Sequence, residues 1–191
     1  MSRIVSAVFI LCLAVIAVRA QSTNLLTNPD GAAGLQSWRV FGNASVADCA
    51  GFGKCFSINQ DAFIFQDVTL PENSTGMYAL FIDFASIEQA GEHMGQPYLF
   101  GYLMNAGATM DGIVLARLSG QEMAKPITRS CEWSMQFGIF KVIEKTARMR
   151  LFLRSGCPKT SASTECVSRF RRPGIFLFNT EDDARSFVTS Y

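Results

Sequence analysis

Most of the chain beyond residue 20 consists of short segments in which apolar and polar residues alternate, separated by turn-forming residues. The segment 77–87 is the clearest example, because every second side chain from Tyr78 to Phe84 is apolar and shares one face. A period of two predicts a β-strand. The same pattern predicts strands at 63–70, 98–105, 113–118, 133–143, 148–154 and 174–178. Helical periodicity is weak, and it predicts only one turn within 86–95 and a short polar helix at 180–190.

Eight to ten short strands with turns between them predict an all-β fold, either a jelly-roll β-sandwich or a barrel. No repeat or linker divides residues 21–191, which have the size of one domain with a short polar C-terminal tail. The segment 148–154 places Arg148, Arg150, Phe152 and Arg154 on one face. That face is either a solvated outer surface or a sheet face that binds a ligand.

The first twenty residues have the organisation of a secretory signal peptide. Arg3 precedes an almost unbroken apolar run over 4–18, and small residues at Val18 and Ala20 suit cleavage after Ala20. A membrane anchor is the alternative, but the run is shorter than the ~20 residues that span a bilayer. We therefore expect a secreted, extracellular protein that begins at Gln21 and has no membrane span.

The charge of the predicted secreted protein is close to balanced. Removal of Arg3 and Arg19 with the leader leaves 15 basic side chains against 16 acidic ones. Such a balance gives no overall attraction to nucleic acids or anionic membranes. We therefore expect no nucleic-acid partner.

Five cysteines follow the leader, at Cys49, Cys55, Cys131, Cys157 and Cys166. An oxidising compartment favours disulfides, although their connectivity does not follow from sequence alone. Cys49 and Cys55 flank one short loop and Cys157 and Cys166 flank another, so we predict these two bridges. Cys131 would then be free or would link two chains into an oligomer. Zinc is the rival interpretation, but the chain has no CxxC pair and one histidine.

The secretory route also makes two Asn-X-Ser/Thr sequons candidate glycosylation sites. They are Asn43-Ala44-Ser45 and Asn73-Ser74-Thr75. Asn73 is the better acceptor, because it follows Pro71 in a segment that is typical of an exposed turn.

Catalytic signatures are absent from the sequence. His93 is the one imidazole, in a glycine-bounded segment, and no GxSxG, HExxH or phosphate-binding glycine loop occurs. Scattered acids at Asp67, Asp83 and Asp111 cannot be paired from sequence alone. We expect no enzymatic activity, no cofactor and no metal. A structural calcium ion near Asp30 or Asp48 is an open alternative without EF-hand spacing.

The opening segment NLLTNPDGAAGLQSW, residues 24–38, resembles the start of galactose-binding-like β-sandwiches. Leu25 and Leu26 would form a first strand, a tight turn would follow at 28–31, and Trp38 would enter the core. The closer resemblance is to the F-box-associated domain. It extends through KCFSINQDAFIFQDVTL, RMRLFLRSG and RRPGIFLF to about Phe178, although no F-box is present.

Some members of that family bind the core of N-linked glycans through loops at one end of the sandwich. The resemblance implies that 167–171 is the matching loop, in which Phe170 would stack on a sugar and its neighbouring arginines would donate hydrogen bonds. We therefore expect a site on end loops formed by 57–61 and 167–171. The candidate ligand residues are Ser57, Asn59, Asp61, Arg169, Phe170 and Arg171. The alternative is that Phe170 points inward and begins the core face of the last strand.

The sequence therefore favours a secreted, non-enzymatic binding module for a glycan or glycoprotein. An extracellular structural or protein-interaction domain, which could be linked through Cys131, is the alternative. A hydrolase with His93 beside a carboxylate is the third hypothesis.

Overall fold

A computed structural model describes residues 23–88, 95–105, 114–119, 127–157 and 166–191. These residues form ten β-strands and one C-terminal helix, α1, at Glu181–Ser190. The strands are β1 Arg39–Phe41, β2 Ala44–Cys49, β3 Gly53–Asn59, β4 Phe63–Thr69, β5 Tyr78–Glu88, β6 Tyr98–Asn105, β7 Val114–Ser119, β8 Ser134–Lys141, β9 Thr146–Arg154 and β10 Val167–Phe178.

The strands form two antiparallel sheets of five strands each. Sheet I has the order β1-β4-β9-β6-β7, and sheet II has the order β2-β3-β10-β5-β8. The predicted all-β sandwich is confirmed. The core lies between the sheets, where alternate side chains of β3, β4, β5, β6 and β9 are buried. In β5, for example, Phe81 and Ala85 face this core, whereas Leu80 and Ile82 face outward.

The opening segment docks onto the sandwich without forming the predicted strand. Leu25 donates a backbone hydrogen bond to Ile175 of β10 at 2.8 Å, but the residues around it have no strand pairing. Asparagine and glutamine side chains replace the missing ladder. Asn24 Oδ1 accepts from the backbone of Leu26 and Ile175, and the Gln66 amide exchanges two hydrogen bonds with Thr27. Because those side chains satisfy the backbone, the segment stays irregular.

The turn that follows is the one that the sequence predicts. Asn28 and Gly31 have positive φ angles of 53° and 68°, which asparagine and glycine tolerate best. Trp38 is 6% exposed, so its predicted place in the core is confirmed. Its indole Nε1 donates to the Asn28 carbonyl at 3.1 Å, and its ring lies 4.9 Å from that of Phe56. The turn and the tryptophan therefore stabilise each other.

Both predicted disulfides are present. Cys49–Cys55 joins the end of β2 to β3, and Cys157–Cys166 joins the segment after β9 to the residue before β10. Cys131 is free and exposed. The local loops therefore give the connectivity that their lengths suggest.

The C-terminal helix is amphipathic, whereas the sequence predicts a polar tail. Thr180 caps it by accepting a hydrogen bond from the Asp183 backbone at 3.1 Å. Ala184 is fully buried, and Phe187 packs against Phe176 of β10 with ring centroids 4.7 Å apart. The helix therefore covers part of the outer face of sheet II.

Several predictions fall outside the described residues: the leader at 1–20, His93 and Asp111. The helical turn predicted within 86–95 is wrong at its start, because β5 continues to Glu88. In the part of the chain that the structure describes, no helix has the length and apolar character needed to cross a membrane.

Candidate functional site

The residues predicted to form an end-loop site lie mainly on two paired strands. Ser57 and Asn59 belong to β3, and only Asp61 occupies the turn that follows, with a φ of 59°. The last strand begins at Val167 instead of Gly174, so 167–171 is not a loop. Ser57 is the cross-strand partner of Arg169 and Phe56 is the partner of Phe170. The prediction of a loop site is wrong here, because this segment pairs with both β3 and β5.

Phe170 in particular belongs to the hydrophobic core. Its side chain is 0% exposed, and its neighbours Phe56 and Ala85 are buried on the adjacent strands. A ring in this position presents no face to a ligand. The inward orientation, which is the sequence-based alternative, is therefore the one observed.

Arg169 and Arg171 point to the outer face of sheet II and are engaged by protein groups. Arg169 forms an ion pair with Glu88. The Arg171 guanidinium lies 3.9 Å from the Phe52 ring centroid and 4.9 Å from that of Trp133. Burial, and then the charge of Arg172, lower the pKa of Arg171. A ligand role for these arginines, and for Ser57, Asn59 and Asp61, stays a prediction.

The outward side of sheet I carries a set of aromatic rings on four neighbouring strands. Period-two alternation in β1, β4, β6 and β9 brings seven aromatic side chains to this side, which we call the aromatic face. Its rings are Phe41, Phe63, Phe65, Tyr98, Phe100, Tyr102 and Phe152. Phe41 is 62% exposed and Phe65 is buried, while the other five are half-buried.

These rings form an ordered array across four strands. Phe41 stacks on Phe63 at 4.9 Å between centroids, and Phe152 lies 5.4 Å from Phe63. Phe152 also meets Tyr102 edge-on at 5.4 Å. On β6, Tyr98 stacks beside Phe100 at 5.5 Å. Contacts of this kind hold each ring in place, so the surface is largely preformed.

One buried ion pair stabilises the centre of the aromatic face. The Arg150 guanidinium donates from Nε to one oxygen of Asp67 at 2.5 Å, and from its terminal nitrogen to the other oxygen at 2.7 Å. The same guanidinium lies 4.5 Å from the centroid of the Phe65 ring. The Arg150 side chain is only 4% exposed, so this pair is part of the scaffold.

Two further arginines of the aromatic face are exposed. Arg154 lies between Phe63 and Tyr98 in the sheet, because both are its cross-strand partners. Arg39 lies on the edge strand, with its guanidinium 5.9 Å from the Phe65 centroid. Among the described residues, neither forms an ion pair. The surface therefore combines apolar ring faces with free hydrogen-bond donors.

The sequence-based prediction of the site misses these rings, although a signal for them exists. Tyr98, Phe100 and Tyr102 alternate at a period of two, as do Phe63 and Phe65. Such spacing shows that the rings of one strand share a face. It does not show which strands are neighbours, and the neighbours turn separate pairs into one array.

Asp83 is the most unusual titratable group of the described residues. It points into the sandwich, and neither carboxyl oxygen has a hydrogen-bond partner. Gln136 is opposite on β8, and its Oε1 also lacks a partner. Burial raises the pKa of Asp83 well above its ordinary value. Because Asp83 is fully buried between the sheets, we place it in the core.

The two aspartates suggested as calcium ligands each contact a protein group. The Asp30 carboxylate accepts from the backbone of Ala32 at 3.1 Å, and Asp48 pairs with Lys54 at 3.0 Å. Within the described ranges, no group of three or more His, Cys, Asp or Glu side chains is arranged to hold a metal.

Both sequon asparagines, Asn43 and Asn73, are exposed, and their glycosylation stays a prediction.

No protein-family model and no curated protein matches this sequence. Solved structures do match. The structure of TmCBM61 in complex with β-1,4-galactotriose superposes with a TM-score of 0.51 and 16% identity, over 83% of this chain and 100% of that one. The CBM22-2 xylan-binding domain of Paenibacillus barcinonensis Xyn10C superposes with a TM-score of 0.53 and 11% identity, over 80% of this chain and 98% of that one.

The enzymatically active domain of tailspike protein 4 from bacteriophage CBA120 also matches, with a TM-score of 0.57 and 11% identity. The match covers 81% of this chain but only 21% of the tailspike chain, so it concerns one part of a larger protein. Identities this low show the fold alone. None of these matches tests the resemblance to the F-box-associated domain, which stays a prediction. What the comparisons and the strand order establish together is an all-β sandwich that resembles carbohydrate-binding modules.

Proposed function

We propose that this protein is a secreted carbohydrate-binding module without catalytic activity, and that the aromatic face is its sugar site. One observation carries the proposal. The outer face of sheet II is partly covered by α1, whereas the rings of the aromatic face pack on one another and six of the seven keep some surface open to solvent. Large exposed apolar surfaces on a soluble domain mark sites of interaction.

The chemistry of the aromatic face suits a sugar. The apolar face of a pyranose ring stacks on aromatic rings, and its hydroxyl groups need nearby donors and acceptors. Phe41 and Tyr98 supply exposed ring area, and Arg39 and Arg154 supply donors. Side chains on strands are held more firmly than side chains on loops, so little conformational entropy is lost on binding.

The structural comparisons support the same class of ligand. Two of the matched structures are named for a bound galactotriose and for xylan binding. Both matches cover at least four-fifths of this chain. The two disulfides and the predicted leader support an extracellular setting, in which such polysaccharides occur.

A glycan array probed with residues 21–191 tests the proposal, followed by titration calorimetry with the best ligand. Phe41→Ala and Tyr98→Ala remove stacking area at two places on the aromatic face. We expect each to weaken binding by roughly tenfold or more while the fold is kept, as judged by circular dichroism. Phe52→Ala is the matched control, because Phe52 is 48% exposed but lies beside Arg171 and Trp133.

The end-loop prediction supplies the competing arm of this experiment. Arg169→Gln removes a donor from the alternative site on sheet II and leaves the aromatic face intact. Loss of binding in Arg169→Gln and Phe52→Ala, with normal binding in Phe41→Ala, would move the site to sheet II. The absence of any glycan ligand would reject sugar binding and favour the protein-interaction alternative.

A further inference from the structure

The charges of sheet I are strongly one-sided. Its five described strands contain five arginines, no lysine, no glutamate and one aspartate. The arginines are Arg39, Arg117, Arg148, Arg150 and Arg154, and the aspartate is Asp67. The strands of sheet II contain five basic residues against Asp48, Asp83 and Glu88, so their positive excess is two, compared with four on sheet I. A near-neutral protein therefore carries the larger excess of positive charge on sheet I.

The single aspartate cannot balance these arginines. Both oxygens of Asp67 are taken by Arg150, and that pair is largely buried. Arg39 and Arg154 are exposed and form no ion pair with any described residue. Two nitrogens of Arg148 are buried without a hydrogen-bond partner among the described groups. Among the described residues, the aromatic face therefore presents the donors of Arg39 and Arg154 without an anion paired to them.

Arg154 is the best placed of these side chains to contact a ligand. Its cross-strand partners are Phe63 on one side and Tyr98 on the other, so its strand position lies between two rings. A planar guanidinium recognises a carboxylate with two parallel hydrogen bonds, a geometry that an ammonium group lacks. A sugar stacked on either ring would bring a substituent of that sugar to Arg154.

We propose that the ligand of the aromatic face is an acidic glycan, whose uronic acid carboxylate pairs with Arg154 while a sugar ring stacks beside it. This inference rests on the proposed sugar-binding function and narrows its substrate class. A nucleic acid also combines negative charge with stacking. The glycan is favoured because the matched sandwiches are named for sugars and the net charge of the predicted secreted protein is slightly negative.

Affinity electrophoresis and calorimetry with matched polysaccharides test the substrate class. The probes are polygalacturonate, alginate and hyaluronate, each beside its carboxyl-reduced form, which differs only in the charged group. We expect at least one acidic form to bind roughly tenfold to a hundredfold more tightly than its reduced counterpart. We expect Arg154→Gln to remove that difference and Arg154→Lys to restore only part of it. Arg185→Gln is the control, because Arg185 is exposed on α1 and pairs with Glu181.

The outcomes separate this inference from the proposed function. Equal binding of acidic and reduced forms, or binding of neutral glycans alone, overturns the acidic class and leaves sugar binding intact. Binding of no glycan overturns both. Tighter binding of dextran sulfate or of a single-stranded DNA oligomer than of any uronate overturns the assignment in favour of that anion. If the Arg154→Gln variant keeps the preference for the acidic forms, then Arg154 is not part of the site.

Discussion

Replacing Phe170 with alanine distinguishes a core residue from a ligand platform. The side chain lies wholly inside the sandwich, and no part of it is open to solvent. Its backbone pairs with β3 on one side and β5 on the other, so the strand cannot shift easily to fill a void. The substitution therefore leaves a cavity and not a modified surface.

The size of the effect follows from the surroundings of Phe170. Phenylalanine-to-alanine changes in cores cost about 3–5 kcal/mol, and the upper part of the range applies where neighbours cannot relax. Phe56 and Ala85 are 1% and 0% exposed, and Phe56 is itself held against Trp38. We therefore expect a loss of about 4 kcal/mol. For a domain of this size, 3–5 kcal/mol corresponds to a fall in Tm of roughly 6–20 °C.

Thermal and urea unfolding followed by far-ultraviolet circular dichroism measure this loss. Phe41→Ala is the matched comparison, because it removes the same atoms from a side chain that is 62% exposed. Its stacking on Phe63 limits the expected cost to below about 1.5 kcal/mol. Phe170→Leu gives a milder perturbation if the alanine variant does not fold. Binding by the folded fraction of either Phe170 variant should equal that of the wild type.

One result would refute this reasoning. If Phe170→Ala keeps the wild-type Tm and loses glycan binding, then Phe170 is not a core residue and the ligand binds at β10. A large loss of stability in Phe41→Ala together with none in Phe170→Ala would reverse the assigned faces of the sandwich.

Three further predictions concern groups away from the aromatic face. Asp83→Asn should stabilise the protein increasingly as pH rises above about 4, because the raised pKa makes the wild type lose stability once the carboxyl group ionises in the unfolded state; a stability difference between variant and wild type that does not change with pH in urea unfolding would contradict this. Replacing Cys157 and Cys166 with serine should lower the free energy of unfolding by roughly 2–3 kcal/mol in the same assay. An unchanged urea midpoint would show that the bridge does not stabilise the native state. A disulfide-linked dimer on non-reducing electrophoresis should disappear in Cys131→Ser, and persistence of the dimer would exclude the exposed thiol as the link.

The sequence predicts the strands well where one face of the strand is apolar. The predicted segment 98–105 coincides with β6, and 63–70 differs from β4 by one residue. It fails at Leu25 and Leu26, where two apolar residues suggest a strand but side-chain amides take the backbone hydrogen bonds. It also fails at 167–173, because arginines alternate there with a single phenylalanine. Pairing with two neighbouring strands, which is a long-range effect, determines the structure of that segment.

The candidate site is less predictable than the fold because it depends on strand order. Phe63 and Tyr98 are 35 positions apart, and each lies beside Arg154 on a neighbouring strand. A period of two shows that Phe63 shares a face with Phe65, but it does not reveal that β9 lies between β4 and β6. The arginines of 148–154 lie on the aromatic face. The sequence leaves open whether that face is a solvated surface or a ligand-binding surface, and its arginines differ in burial. Arg150 is buried in an ion pair, whereas Arg154 is solvated.

The two outer faces of the sandwich show how a ring surface can remain open without a covering layer. Sheet II buries part of its outward apolar surface under α1, where Phe187 contacts Phe176 and Phe178. Both sheets place guanidinium groups against their rings: Arg171 and Arg172 do so on sheet II, and Arg39 and Arg150 do so on sheet I. Because Asp67 neutralises only the buried guanidinium of Arg150, the exposed arginines keep their donors free. Arg39 and Arg154 are therefore available to pair with an anionic group beside a stacked ring, as the proposed acidic ligand requires.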